Sequence, residues 1–141
     1  KNTGTKRGSE AGKLDEATLP YVREVTVLAK GDDFETDEDK ALFVDNVWRE
    51  LKMGKQEQLL RLITHKEGSE AVESLLNLST SAQLYRVCKT LRASMSRVVF
   101  NPYGSHVLEA LFSFIPRLVN ASMDELTKKG EGDDDDDDKA E

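Results

Sequence analysis

The sequence predicts an all-α fold of the solenoid kind, in which short groups of helices stack into an array. Two observations carry this. Apolar residues recur at helical spacing through most of the chain, and no segment shows the strict alternation of a strand. A stretch at 59–76, LLRLITHKEGSEAVESLL, returns 36 residues later at 95–112 as MSRVVFNPYGSHVLEALF. A unit of that length made of two or three helices buries its apolar face only by stacking on its neighbours.

The elements follow in order. Residues 1–13, KNTGTKRGSEAGK, have no apolar periodicity and are expected to be disordered. Over 15–30 the spacing predicts a helix with Tyr21, Val22, Val25 and Leu28 on one side and Pro20 in its first turn. Thr36 opens TDED, a helix-start signal with acids in the first turn. Val44, Val47, Trp48 and Leu51 then stripe a second helix that Gly54 ends. Leu59, Leu60, Leu62 and Ile63 mark a third, and Ala71, Val72, Leu75 and Leu76 a fourth. Leu84, Val87, Cys88 and Leu91 stripe a fifth; Met95, Val98 and Val99 mark a sixth, stopped by Asn101-Pro102. Val107, Leu108, Leu111, Phe112 and Ile115 form a seventh, and Pro116 opens an eighth through Met123 and Leu126. Residues 128–141 hold six adjacent aspartates, which repel one another and bury nothing. The expected organisation is a basic lead over 1–13, an N-terminal helical cap over 14–54, two repeats and the start of a further helix over 55–127, and an acidic tail over 128–141.

Between the two copies of the repeat, Arg61/Arg97, Gly68/Gly104, Ser69/Ser105, Glu73/Glu109 and Leu75/Leu111 are identical. Six further pairs, from Leu59/Met95 to Leu76/Phe112, stay apolar. Two unrelated amphipathic helices would share the apolar positions, but rarely Gly-Ser and the following Glu as well. The glycines are expected to permit tight turns between helices, and the two serines to cap the helices that follow.

The net charge of −7 is unevenly distributed. The lead is basic and the tail and the segment 14–54 are acidic. The window 77–118 sets Arg86, Lys89, Arg92, Arg97 and Arg117 against the single acid Glu109. Such a segment attracts a polyanion locally even in an acidic protein. Catalysis is not expected. His65, His106 and Cys88 have no metal-ligand spacing, adjacent Ser105 and His106 diverge on a helix, and no phosphate-cradling loop appears. Neither a cofactor nor a metal is implied. A lone cysteine permits no intrachain disulfide, and no apolar run reaches the ~20 residues that span a bilayer.

On a helical projection Ser105, His106 and Glu109 share the arc opposite the core residues, and the first copy places Ser69, Glu70 and Glu73 alike. A hydroxyl and a carboxylate beside a flat ring suit the edge and face of a single-stranded base. NPYGSHVLE resembles the RNA-reading helix of Puf (Pumilio) repeats. The resemblance implies a right-handed α-solenoid in which Ser105 and Glu109 contact one base, guanine for this pair, while His106 stacks on it. It implies the same of Ser69 and Glu73, although Glu70 stands where a flat residue is expected. Arg97, Arg61, Arg86, Lys89 and Arg92 are the candidate phosphate contacts. The order of LDEATLPYVREVTVLAKG, ETDEDKALFVDNVWRELK and the two repeat units is similar to the start of the nucleolar protein 9 branch of that family. That likeness implies a monomeric protein of the nucleus and nucleolus, binding single-stranded pre-ribosomal RNA in small-subunit biogenesis beside ribosome-assembly proteins. Two other readings stay open: a HEAT- or armadillo-like solenoid that engages basic protein partners, and a cytoplasmic Pumilio-type regulator of messenger RNA.

Overall fold

The computed structural model describes residues 14–127; the disordered lead and the acidic tail expected from the sequence lie outside the described residues. All regular structure among the described residues is helical. Helix α1 spans Leu19–Gly31, with Pro20 in its first turn, where a missing N–H costs nothing. It buries Val22, Val25 and Ala29, whereas Leu28 is 48% exposed. The small Ala29 therefore faces the neighbouring helix, in place of the predicted Leu28.

Helix α2, Asp37–Glu50, starts as expected: Thr36 Oγ1 accepts the Asp39 N–H at 3.0 Å, with Asp37, Glu38 and Asp39 in the first turn. It ends at Glu50, before Gly54. Lys52 adopts the left-handed conformation (φ 56°) and the Met53 N–H bonds the Trp48 carbonyl, so a lysine reverses the chain where glycine was expected to. Helices α3 (Gln56–Ile63), α4 (Lys66–Leu78) and α5 (Ser81–Leu91) follow. Thr80 and Gln83 form a reciprocal capping box at the start of α5. A 3₁₀ turn, Arg92–Ser94, leads into α6 (Met95–Val99), and α7 spans Pro102–Phe112. The single eighth helix expected beyond it is two, α8 (Ile115–Asn120) and α9 (Met123–Leu126). Ala121 is extended between them, and Ser122 caps α9 by accepting the Glu125 N–H. Ile115 thus opens α8 and does not close the stripe of α7.

The repeat has a different mechanical basis from the one its sequence suggests. The caps of α4 and α7 are His65 and Asn101. His65 Nδ1 accepts the N–H groups of Glu67 and Gly68 at 3.1 and 3.2 Å. Asn101 Oδ1 accepts those of Tyr103 and Gly104 at 2.9 and 2.8 Å. Both helices therefore begin earlier than Gly-Ser, and Ser69 and Ser105 lie inside the first turn, donating back to the carbonyls of Lys66 and Pro102. The glycines are not turn residues either. A Cβ on Gly68 would run into the Leu62 carbonyl, and one on Gly104 would stand 2.9 Å from Val98 Cγ1 and 3.0 Å from the Val98 oxygen. Glycine lets each second helix lie against the last turn of the first.

Stacking then builds the array. Helix α1 packs along α4, and α4 along α7, giving one row; α3 and α5 pack together beside it. Val22, Leu59, Ile63, Leu76, Leu84, Leu91, Val98, Val107 and Leu111 are almost wholly buried between them. One polar network crosses this core. Asp45 accepts hydrogen bonds from Gln83 Nε2 at 2.9 Å and Arg86 Nη2 at 3.3 Å, while the Arg86 guanidinium lies over the Trp48 ring at 5.1 Å. It ties α2 to α5.

Candidate nucleic-acid interface

Helix α7 presents the predicted trio. Its core stripe, Val107, Leu108 and Leu111, turns inward, which leaves His106 and Glu109 outside with side chains 69% and 79% exposed. His106 Nδ1 lies 3.6 Å from Glu109 Oε1, so the ring and the carboxylate are neighbours one turn apart. Ser105 is half-buried; its hydroxyl donates to Pro102 and retains lone pairs to accept. Ring face, hydroxyl and carboxylate therefore converge on one accessible patch.

The first copy is different. Ser69 is buried, Glu73 is half-buried, and Glu70 is bound to Lys30 Nζ of α1 at 2.6 Å. The Ser69 hydroxyl donates to the Lys66 carbonyl as Ser105 does to Pro102, but the residue is only 5% exposed, which leaves a base little room to approach. Its burial follows from its flank of the helix. Ile63 and Leu76 are 0% and 1% exposed, but their counterparts Val99 and Phe112 are 49% and 51% exposed. The second copy covers the first on this side, and among the described residues nothing covers the second.

The predicted phosphate contacts also divide. Arg86 is a correction: its side chain is only 13% exposed and is committed to Asp45 and Trp48, so it belongs to the core network. Lys89 is exposed and lies over the Tyr85 ring at 5.3 Å; Arg92 is exposed in the 3₁₀ turn. Arg97 is exposed and bridges to Glu57 at 3.2 Å, while Arg61 is half-buried on α3. Arg117, counted in the basic window, donates to the Ser79 carbonyl at 2.9 Å and joins α8 to the end of α4. Residues that sequence reasoning missed are Arg23 and Lys30, whose partners Glu67 and Glu70 lie 44 and 40 positions away. The bond from Arg23 holds the Glu67 carboxyl below its ordinary range. Burial pushes the Cys88 thiol up, which makes it a poor nucleophile. Among the described residues no group of three metal-ligating side chains occurs, and no helix is long and apolar enough to cross a membrane.

Compared with known families, residues 57–141 match the NOP9-like PUF repeat domain. The chain belongs to that family. This NOP9-like chain is 34% identical to nucleolar protein 9 of Homo sapiens over 91 residues, covering 64% of this chain and 14% of that protein. With nucleolar protein 9 of Lodderomyces elongisporus the identity is 30% over 120 residues, 85% of this chain and 16% of the relative. With that of Candida glabrata it is 31% over 112 residues, 79% and 16%. The chain spans about a seventh of the length of the curated relatives it matches. No solved structure matches it. The family places this NOP9-like chain among nucleolar, Puf-repeat proteins, a helical-repeat group and not a class of enzymes. The matched segment begins at Glu57, within α3, so α1 and α2 precede it.

Proposed function

We propose that this chain binds single-stranded RNA through α7, as part of a nucleolar protein that engages pre-ribosomal RNA during small-subunit biogenesis. The observation that carries the reading is the accessible, convergent trio Ser105, His106 and Glu109 in a chain of the NOP9-like PUF family. Glu109 accepts the paired N–H donors that guanine offers on one edge, Ser105 supplies a second polar contact, and the His106 ring stacks on the base. Most of the affinity comes from cations on phosphate, with Arg97, Arg92 and Lys89 the exposed candidates and Arg61 a half-buried one on α3. The open flank at Val99, Phe100 and Phe112 is where a further unit of the array stacks, as the second unit does on the first.

Fluorescence anisotropy with single-stranded RNA, duplex RNA and single-stranded DNA tests this. Single-stranded RNA is expected to bind best. Removing a stacked ring by His106→Ala should weaken it by roughly fivefold to a hundredfold. Glu109→Ala should abolish the preference for guanine-containing RNA, and Ser69→Ala, at a buried position, should leave affinity unchanged. Equal binding by the parent, His106→Ala and Glu109→Ala sinks base reading at α7.

A further inference from the structure

Helix α1 repeats the pattern of α4 and α7. Its buried positions Val22, Val25 and Ala29 have the spacing of Gly68, Ala71 and Leu75 in α4 and of Gly104, Val107 and Leu111 in α7, all of them buried. Leu-Pro-Tyr at 19–21 stands where Asn-Pro-Tyr stands at 101–103. The helices that follow agree: Val44, Val47 and Leu51 are buried at the spacing of Leu84, Val87 and Leu91. This register makes a further prediction about which side chains meet at the joint. Ser69 and Leu76 lie on the flank of α4 that α7 covers, so their counterparts in α1, Arg23 and Lys30, should face α4. They do, and they bind Glu67 and Glu70 at 2.7 and 2.6 Å.

We infer that α1 and α2 are not a cap of separate design but a repeat unit in register with the other two, and that its joint to the next unit excludes a base. The exclusion rests on the reading of α7 as a base-binding helix. At the position of His106 the first two units carry Glu24 and Glu70, neither of which has a ring to stack. At the position of Glu109 α1 carries Val27, 69% exposed, which accepts no hydrogen bond. Two cations occupy the sites that Ser69 and Leu76 hold in the next unit, and they are satisfied by carboxylates of α4. The joint between α1 and α4 is thus closed by charge, whereas that between α4 and α7 is closed by Leu76 and its apolar neighbours. In this chain the readable track starts at α7.

A graft tests the register and the exclusion together. In the full chain, Arg23→Ser, Lys30→Leu, Glu67→Tyr and Glu70→His convert the first joint into a copy of the second. If the units are in register, hydrogen exchange will show α1 amides as protected as in the parent. Loss of that protection, in α1 alone or throughout the chain, overturns the repeat assignment. The single variant Glu70→His tests the exclusion by anisotropy with oligouridine probes carrying one guanine or two adjacent guanines. It is expected to bind both probes roughly fivefold or more tighter than Glu70→Gln, which removes the same charge without supplying a ring, the worth of one added stack on either base. Affinity equal to that of Glu70→Gln in a variant that still binds RNA overturns the exclusion. A parent chain that binds neither probe refutes the base-binding reading of α7 and, with it, the exclusion built on it, while the exchange result still decides the register.

Discussion

Gly68→Ala is expected to destabilise the chain by about 3 kcal/mol, among the largest effects of any single methyl group in this fold. The new Cβ would overlap the backbone carbonyl of Leu62, which cannot swing aside as a side chain does. To admit it, α4 must withdraw from the last turn of α3. Leu59, Leu62, Ile63, Ala71, Val72 and Leu75, all buried on these two helices, would then lose contact together. Alanine does gain up to ~1 kcal/mol over glycine in a helix, but only where the space exists. Gly104→Ala is the internal control. There the obstacle is chiefly Val98 Cγ1 at 2.9 Å, with the Val98 oxygen at 3.0 Å, and α6 is a short helix with an exposed flank. Strain and helix propensity roughly cancel, and a net change within about 1 kcal/mol is expected. Urea unfolding at constant m measures both. Equal losses at the two positions would refute the close-approach account of the repeated glycine.

The sequence made the helices legible but not their surroundings. A 3.6-residue period needs only local information, so the α3, α4 and α5 stripes were read nearly residue for residue. Phe112 and Ile115 belong to the expected core because they are apolar, yet they are 51% and 39% exposed, Phe112 on the open flank of α7 and Ile115 at the start of α8. Asn101 was read as the stop of α6 and is also the cap of α7; His65 was not read as a cap at all, since histidine is a rare choice there. Once the caps are placed, Gly-Ser moves inside the helix and its meaning changes from turn to contact. The trio on α7 was found because its three members sit within one helix turn. The joint residues were not: Arg23 and Glu67 are 44 positions apart, and nothing in either segment points to the other. Long-range pairing of charges is the information a single sequence withholds.

Arg86 shows what that omission does to a functional reading, and its partner gives the second large effect. Counted along the chain, Arg86 is one of five cations in a basic window and a natural phosphate contact. In the fold it is one of two donors, with Gln83, that satisfy Asp45, whose side chain is 6% exposed. Asp45→Ala is expected to cost about 3 kcal/mol, because it strands the Arg86 guanidinium in a site closed by Trp48, while the Gln83 amide keeps its bond to the Ala41 carbonyl. Arg86→Met should cost less, since it leaves the buried carboxylate without its counter-charge but still bonded to Gln83. A double variant, Asp45→Leu with Arg86→Met, should lose less than the two singles added together, since neither charge is then left alone. The same residue separates stability from binding. If Arg86 is structural, Arg86→Met will lower the urea midpoint and leave the dependence of RNA affinity on salt as it was. Arg97→Met, at an exposed cation, should do the reverse and reduce the logarithmic salt slope by about one. A reduced slope in Arg86→Met would mean that this guanidinium leaves Asp45 to meet phosphate, and the basic window would then have to be counted as the sequence first presents it.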